Sequence, residues 1–186
     1  MKKLLPLLAV LALLAGCSAE PVEMNRALAL RTKLLQASTC TFNAEITADC
    51  GEDLYTFGMH CMADEKGEIT FQVTKPDSIS GITGTLSQEG GALTFDSTAL
   101  QFELLADGRL SPVSAPWVLM QALRGGYITS AGTEDGQIRL SVNDSFDNDA
   151  LNLDIWLDEA DLPKRAEICC AGRRILTVCV ENMVIG

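Results

Sequence analysis

From residue 40 onward the chain repeats one pattern: short stretches in which apolar and polar residues alternate, separated by turn-forming residues. Phe42, Ala44, Ile46 and Ala48 alternate with Thr41, Asn43, Glu45 and Thr47. Tyr55, Phe57, Met59 and Cys61 share one face of the next stretch, and Ile69, Phe71 and Val73 that of a third. Apolar positions continue at Ile82 to Leu86, Leu93 to Phe95 and Leu100-Phe102-Leu104, and resume at Ile138, Leu140, Val142 and then Leu151, Leu153, Ile155, Leu157. Ala166-Glu167-Ile168 turns at Ala171-Gly172 into a closing stretch over 173–185. The punctuation is turn chemistry: Gly51-Glu52-Asp53, Lys75-Pro76-Asp77, Glu89-Gly90-Gly91 and Ala106-Asp107-Gly108. Alternate residues of a strand point to opposite faces, so the pattern predicts about eleven half-buried strands in hairpin succession.

A single antiparallel sheet of that size has one wet face and one apolar face to hide, and it twists and curls rather than staying flat. The fold class expected is mainly β with some α: one curled antiparallel half-barrel with helices on its concave face. Two stretches can provide the cover. Met24, Ala27, Leu28, Leu34 and Leu35 recur at helical spacing, predicting an amphipathic helix over 21–37 with Pro21 in its first turn. The phrase SAPWVLMQALRGG predicts a second helix over 116–124, started by Ser114 and Pro116 and ended by Gly125. It is apolar on nearly every side, and such a helix belongs in an interior. It can be a lid over a cavity or a fixed plug that completes the core.

The N-terminus carries an address. Lys2 and Lys3 precede the apolar run from Leu4 to Ala15, the form of a secretory signal and too short for a transmembrane helix. The run ends in Leu14-Ala15-Gly16-Cys17, the pattern of a lipobox, where the cysteine is acylated and the chain cut before it. The organisation expected is a signal peptide over 1–16, a lipidated tether over 17–21 and one domain over 22–186. Cys17 is the lipidation site, and the location expected is the outer face of the cell membrane. A net charge of −11 disfavours nucleic acid and anionic headgroups, so the membrane contact falls to the lipid anchor. Cys40, Cys50, Cys61, Cys169, Cys170 and Cys179 contain no CxxC pair. Several fall at inward strand positions, which favours thiols acting as small buried apolar groups over disulfides.

Signal, lipobox, N-terminal helix, long antiparallel half-barrel and inserted apolar helix together resemble the LolA/LolB superfamily of lipoprotein carriers. The stretches Asp158 to Pro163, Gly172-Arg173-Arg174-Ile175 and Glu181-Asn182-Met183 look like its C-terminal hairpin. SPVSAPWVLMQALRGGYI looks more like the lipid-anchored clostridial members, among them the germination lipoprotein GerS. The resemblance implies a hydrophobic cavity for acyl chains, closed by helices, and no catalysis. On that reading the cavity candidates are Phe42, Ile46, Phe57, Phe71, Phe95, Phe102, Trp117, Leu119, Met120, Leu123, Leu140, Leu153 and Ile155. The ligand expected is a lipid or an acylated protein. The alternative is a non-catalytic envelope scaffold that dimerises or holds a protein partner.

Chemistry-bearing motifs are sparse. GxSxG, SxxK, HExxH and P-loop patterns do not occur. His60 falls on a wet face without adjacent partners and reads as a surface histidine. Residues 143–149 (NDSFDND) form an acidic loop without the glycine and distal glutamate of a calcium-binding EF-hand. Neither a metal nor a cofactor is expected. Trp156 sits among polar positions of its strand, either as a rim aromatic lying along its neighbours or as a contact for a protein partner.

Overall fold

The computed structural model describes residues 22–87, 90–94 (backbone), 110–146 and 150–186. The leader and Cys17, the candidates Phe95 and Phe102, the strand expected at 100–104 and positions 147–149 of the acidic loop lie outside the described residues. In chain order the elements are helix α1 (Val22–Gln36), strands β1 (Thr39–Asp49), β2 (Leu54–Asp64), β3 (Ile69–Lys75), β4 (Thr83–Ser87) and β5 (Gly90–Thr94), helix α2 (Ala115–Gly125), and strands β6 (Tyr127–Glu134), β7 (Gln137–Asn143), β8 (Asn152–Leu157), β9 (Pro163–Cys170) and β10 (Arg173–Ile185).

All ten strands belong to one open, curled antiparallel sheet in the order β5-β4-β3-β2-β1-β10-β9-β8-β7-β6. Two meanders therefore run outward from the centre, joined where β1 pairs with β10. The alternation read from the sequence is the burial pattern of the strands. In β1, Cys40, Phe42, Ala44, Ile46 and Ala48 point inward and are buried. Their cross-strand partners continue the inner face: Phe42 lies opposite Cys61 and Ile46 opposite Phe57, while Leu140 lies opposite Ile155 on the other wing. The register shifts in β1/β10 between Thr41 and Asn43, in β9/β10 between Arg174 and Leu176, and in β2/β3 between Gly58 and Met59. Such irregularities bend a strand and increase local twist.

β6 is the exception to the alternation. Its sequence, YITSAGTE, buries no residue fully, and it forms the sheet edge beside β7 with α1 packed against it. The first helix, described from Val22, ends at Gln36, one residue short of the expected 37, and its apolar face differs from the expected one. Ala27, Leu30 and Leu34 are buried, whereas Leu28 and Leu35 are 39% and 62% exposed. At 3.6 residues per turn, positions 27, 30 and 34 form one stripe, and 28 and 35 turn out of it.

Candidate functional site

The sequence-derived candidates converge. Phe42 and Ile46 of β1, Phe57 of β2, Phe71 of β3, Leu140 of β7 and Leu153 and Ile155 of β8 meet Leu119, Met120 and Leu123 of α2 in one hydrophobic cluster, with Trp117 half-buried against it. Phe42, Ile46, Leu119, Met120 and Ile155 have 0% of their surface exposed, so no water-sized void adjoins them. Exposure this low is that of a close-packed protein interior. In this structure α2 fills the concave face.

The C-terminal end of α2 is also fixed by polar contacts. Arg31 of α1 donates from Nε to the Leu123 carbonyl at 2.8 Å and from Nη2 to the carbonyls of Ala122 at 3.2 Å and Gly126 at 2.7 Å. These are carbonyls at the C-terminal end of α2, where the last backbone acceptors lack i+4 donors and the helix dipole favours a cation; that of Ala122 also accepts from the Gly126 amide. Burial lowers the pKa of this guanidinium from its ordinary value. Gly126 makes the close approach possible. A Cβ there would stand 2.5 Å from Val142 Cγ1 and 2.8 Å from the Ala122 carbonyl oxygen. Arg31 and Gly126 were absent from the residues singled out by sequence. The signal for Arg31 was its i, i+4 spacing from Ala27, which puts a cation on the helix's buried face.

α2 also carries a polar stripe. Trp117, Gln121 and Arg124 are spaced four and three residues apart and share one side of the helix. Gln121 donates from Nε2 to the carbonyl of Gly67 at 3.3 Å, in the β2–β3 turn. Arg124 is only 9% exposed. Its Nε and Nη2, and Trp117 Nε1, are buried without a hydrogen-bond partner.

The outer face is a mesh of ordinary surface interactions. Trp156 donates from Nε1 to Glu134 Oε2 at 2.7 Å, and its ring lies beneath Arg139 and Arg165, whose guanidinium carbons are 5.4 and 4.8 Å from its centroid. Asp154 accepts from Arg139 at 2.8 Å and from Ser141 at 2.7 Å, and the Arg139 pKa is raised chiefly by Asp154. His60 is exposed, with Nδ1 2.9 Å from Asn43 Oδ1. A polar hollow of about 920 Å³ at the rim is bordered by Arg26, Asp135, Asp158, Glu159 and Lys164. Arg26 forms an ion pair with Asp161 there.

Cys40, Cys61, Cys169 and Cys179 carry free thiols. Burial pushes Cys40 up to about 11, although the nearby Arg124 charge acts in the opposite direction, and pushes Cys61 up to about 12. Among the described residues, no group of three or more His, Cys, Asp or Glu side chains could hold a metal ion, and no helix is long and apolar enough to cross a membrane.

No family model and no curated protein match this sequence. Solved structures align with it over most of its length at low identity. A LolA superfamily protein from Nitrosomonas europaea is 10% identical, with a TM-score of 0.43, over 86% of this chain and 93% of that one. An uncharacterized conserved protein from Thermus thermophilus is 10% identical, with a TM-score of 0.45, over 88% and 87%. The lipoprotein LppX from Mycobacterium tuberculosis is 9% identical, with a TM-score of 0.41, over 88% and 95%.

Proposed function

We propose that this chain is a non-catalytic lipoprotein, anchored through Cys17 on the outer face of the cell membrane, that takes up a lipid or the acyl part of a lipoprotein in its half-barrel. The observation that carries the reading is the way α2 is mounted. It lies over the joined apolar faces of both meanders, yet its C-terminal end is held by three hydrogen bonds from one side chain, Arg31. Hydrogen bonds of this kind exchange readily for water, so the helix can swing out as a lid and open an apolar hollow lined by Phe42, Phe57, Leu140 and Ile155. The filled core is then the closed, ligand-free state. The lipobox at residues 14–17 and the resemblance of the sequence to lipoprotein carriers support the same reading.

One observation favours a second reading. The 0% exposure of Leu119 and Met120 suits a permanent plug, and with it an envelope scaffold that acts through protein partners or as a dimer, as in germination lipoproteins of the GerS type. Native mass spectrometry of the protein extracted from membranes separates the two. Co-purifying lipid mass that is lost on delipidation supports the carrier. A lipid-free dimer overturns it. The anchor is tested by labelling with a fatty-acid analogue, which should mark wild type and not Cys17→Ser. Equal label in both removes Cys17 from the reading.

A further inference from the structure

The polar stripe of α2 holds donors that no described residue meets. Trp117 Nε1–H can only donate, and so can every nitrogen of an arginine side chain. Burying such groups without acceptors is costly, most of all for a charged one. Yet Arg124 is nine-tenths buried with Nε and Nη2 unpartnered, and Trp117 Nε1 is buried unpartnered on the same side of the helix. No carboxylate among the described residues forms an ion pair with Arg124.

The space around Arg124 is shaped by a second residue. Gly67 is buried although its neighbours Glu65, Lys66 and Glu68 in the same turn are exposed. A Cβ on it would stand 2.8 Å from Gln121 Nε2 and 3.4 Å from Arg124 Nη1. The turn has a positive φ of 84° at this point, which also suits glycine. The guanidinium thus lies against a turn that carries no side chain to crowd it. Its charge also reaches Cys40, the first inward residue of β1. Arg124 therefore lies near Cys40, where the inward row Cys40, Phe42, Ala44 and Ile46 begins.

We propose that Arg124, with Trp117 as a second donor, is the recognition site for a negatively charged head group, a carboxylate or phosphate, on the ligand whose acyl chain occupies the hollow. The proposal rests on the acyl-binding reading above and narrows it to anionic amphiphiles. A guanidinium matches two oxygens of a carboxylate or phosphate at once. Trp117 lies two helical turns away, about 10 Å along the axis, so it would meet an acceptor on a larger head or its ester linkage rather than a simple carboxylate.

The test compares oleate with methyl oleate, which differ in charge at the head and share the chain. Delipidated full-length protein at pH 8 is titrated with each, and its thermal midpoint is followed with inorganic phosphate. Wild type should bind oleate at least about tenfold more tightly than the ester, and Arg124→Met should reduce oleate affinity to that of the ester while leaving the ester unchanged. Equal affinity of wild type for the two lipids overturns the proposal, and this comparison needs no variant. An Arg124→Met protein that keeps the preference also overturns it. Should neither lipid bind while phosphate raises the midpoint of wild type and not of Arg124→Met, the anion site stands and the acyl-chain reading falls. No response to any of the three ligands removes both.

Discussion

Replacing Arg31 with Met isolates the mounting of α2. Methionine keeps an unbranched apolar stem against α1's neighbours and removes the guanidinium. The three bonds lost measure 2.8, 3.2 and 2.7 Å and share two nitrogens. Hydrogen bonds to a charged group contribute about 1.5–3 kcal/mol each. Arg31 is half-buried, so the released carbonyls recover water and the three do not add in full. A net loss of about 3 kcal/mol is the working figure, which by the tenfold-per-1.4 kcal/mol rule raises the opening equilibrium of α2 roughly a hundredfold. The strands make no use of these bonds. Native-state hydrogen exchange reads the difference directly. The Gly126 amide, bonded to the Ala122 carbonyl at 3.0 Å, should lose roughly a hundredfold in protection, while amides in central strand β1 hold theirs. Unchanged protection at Gly126 would refute the idea that Arg31 holds the helix. An equal loss in β1 would show that α2 opens only when the whole protein unfolds, as a plug does.

Leu119→Glu places a carboxylate at a position of 0% exposure. If α2 is a lid, circular dichroism should keep its strand signal while fluorescent fatty-acid binding is lost. Loss of both signals identifies a plug, and retained binding removes Leu119 from the site. Gly126→Ala forces a methyl group to 2.5 Å from Val142 Cγ1 and 2.8 Å from a backbone oxygen. Overpacking of this sort costs about 1–3 kcal/mol, so the thermal midpoint should fall by several degrees, and an unchanged midpoint contradicts the close packing. Cys61 keeps its proton up to about 12 in the fold, whereas an unfolded thiol releases it near its ordinary value of 9.0. The unfolded chain is therefore the first to be stabilised by deprotonation as pH rises, and stability should decline from about pH 9 towards 12. The decline in urea midpoint between pH 8 and 10.5 should be smaller in Cys61→Ala, and an identical decline would dismiss the effect. At pH 8 exposed Cys179 should react with a thiol reagent far faster than Cys61, and equal rates would contradict their burial.

Strands with a dry face were legible because burial and period coincide. In β1, β7 and β8 every inward residue is apolar, and the alternation gave both the element and its core side. β6 escaped for the converse reason: YITSAGTE has no apolar period, because an edge strand under a helix has little to bury. The face of α1 was misread at Leu28 and Leu35, since leucines at neighbouring helical angles cannot be ranked without knowing where the sheet lies. The cavity candidates could be gathered as inward residues, but whether they enclose a space or fill it depends on packing that no pattern encodes. Arg124 and Gly67 were beyond reach for another reason. Their roles come from partners 84 or 54 residues distant in sequence, or from the lack of one.

The pairing of β1 with β10 sets the order in which the molecule can be assembled. β1 lies in the middle of the sheet, and the strand on its far side is the last of the ten described strands to be synthesised. The stitch from the Ser38 hydroxyl to the Gly186 carbonyl spans 148 residues. Until β10 arrives, the first meander has an unpaired central edge along β1. Contacts this remote form late and slowly, and an exposed edge of that length invites a second chain to take the vacant place. A half-made molecule is therefore an aggregation hazard along its middle rather than its margins, and delaying collapse until the whole chain is available favours the correct product over a swapped dimer.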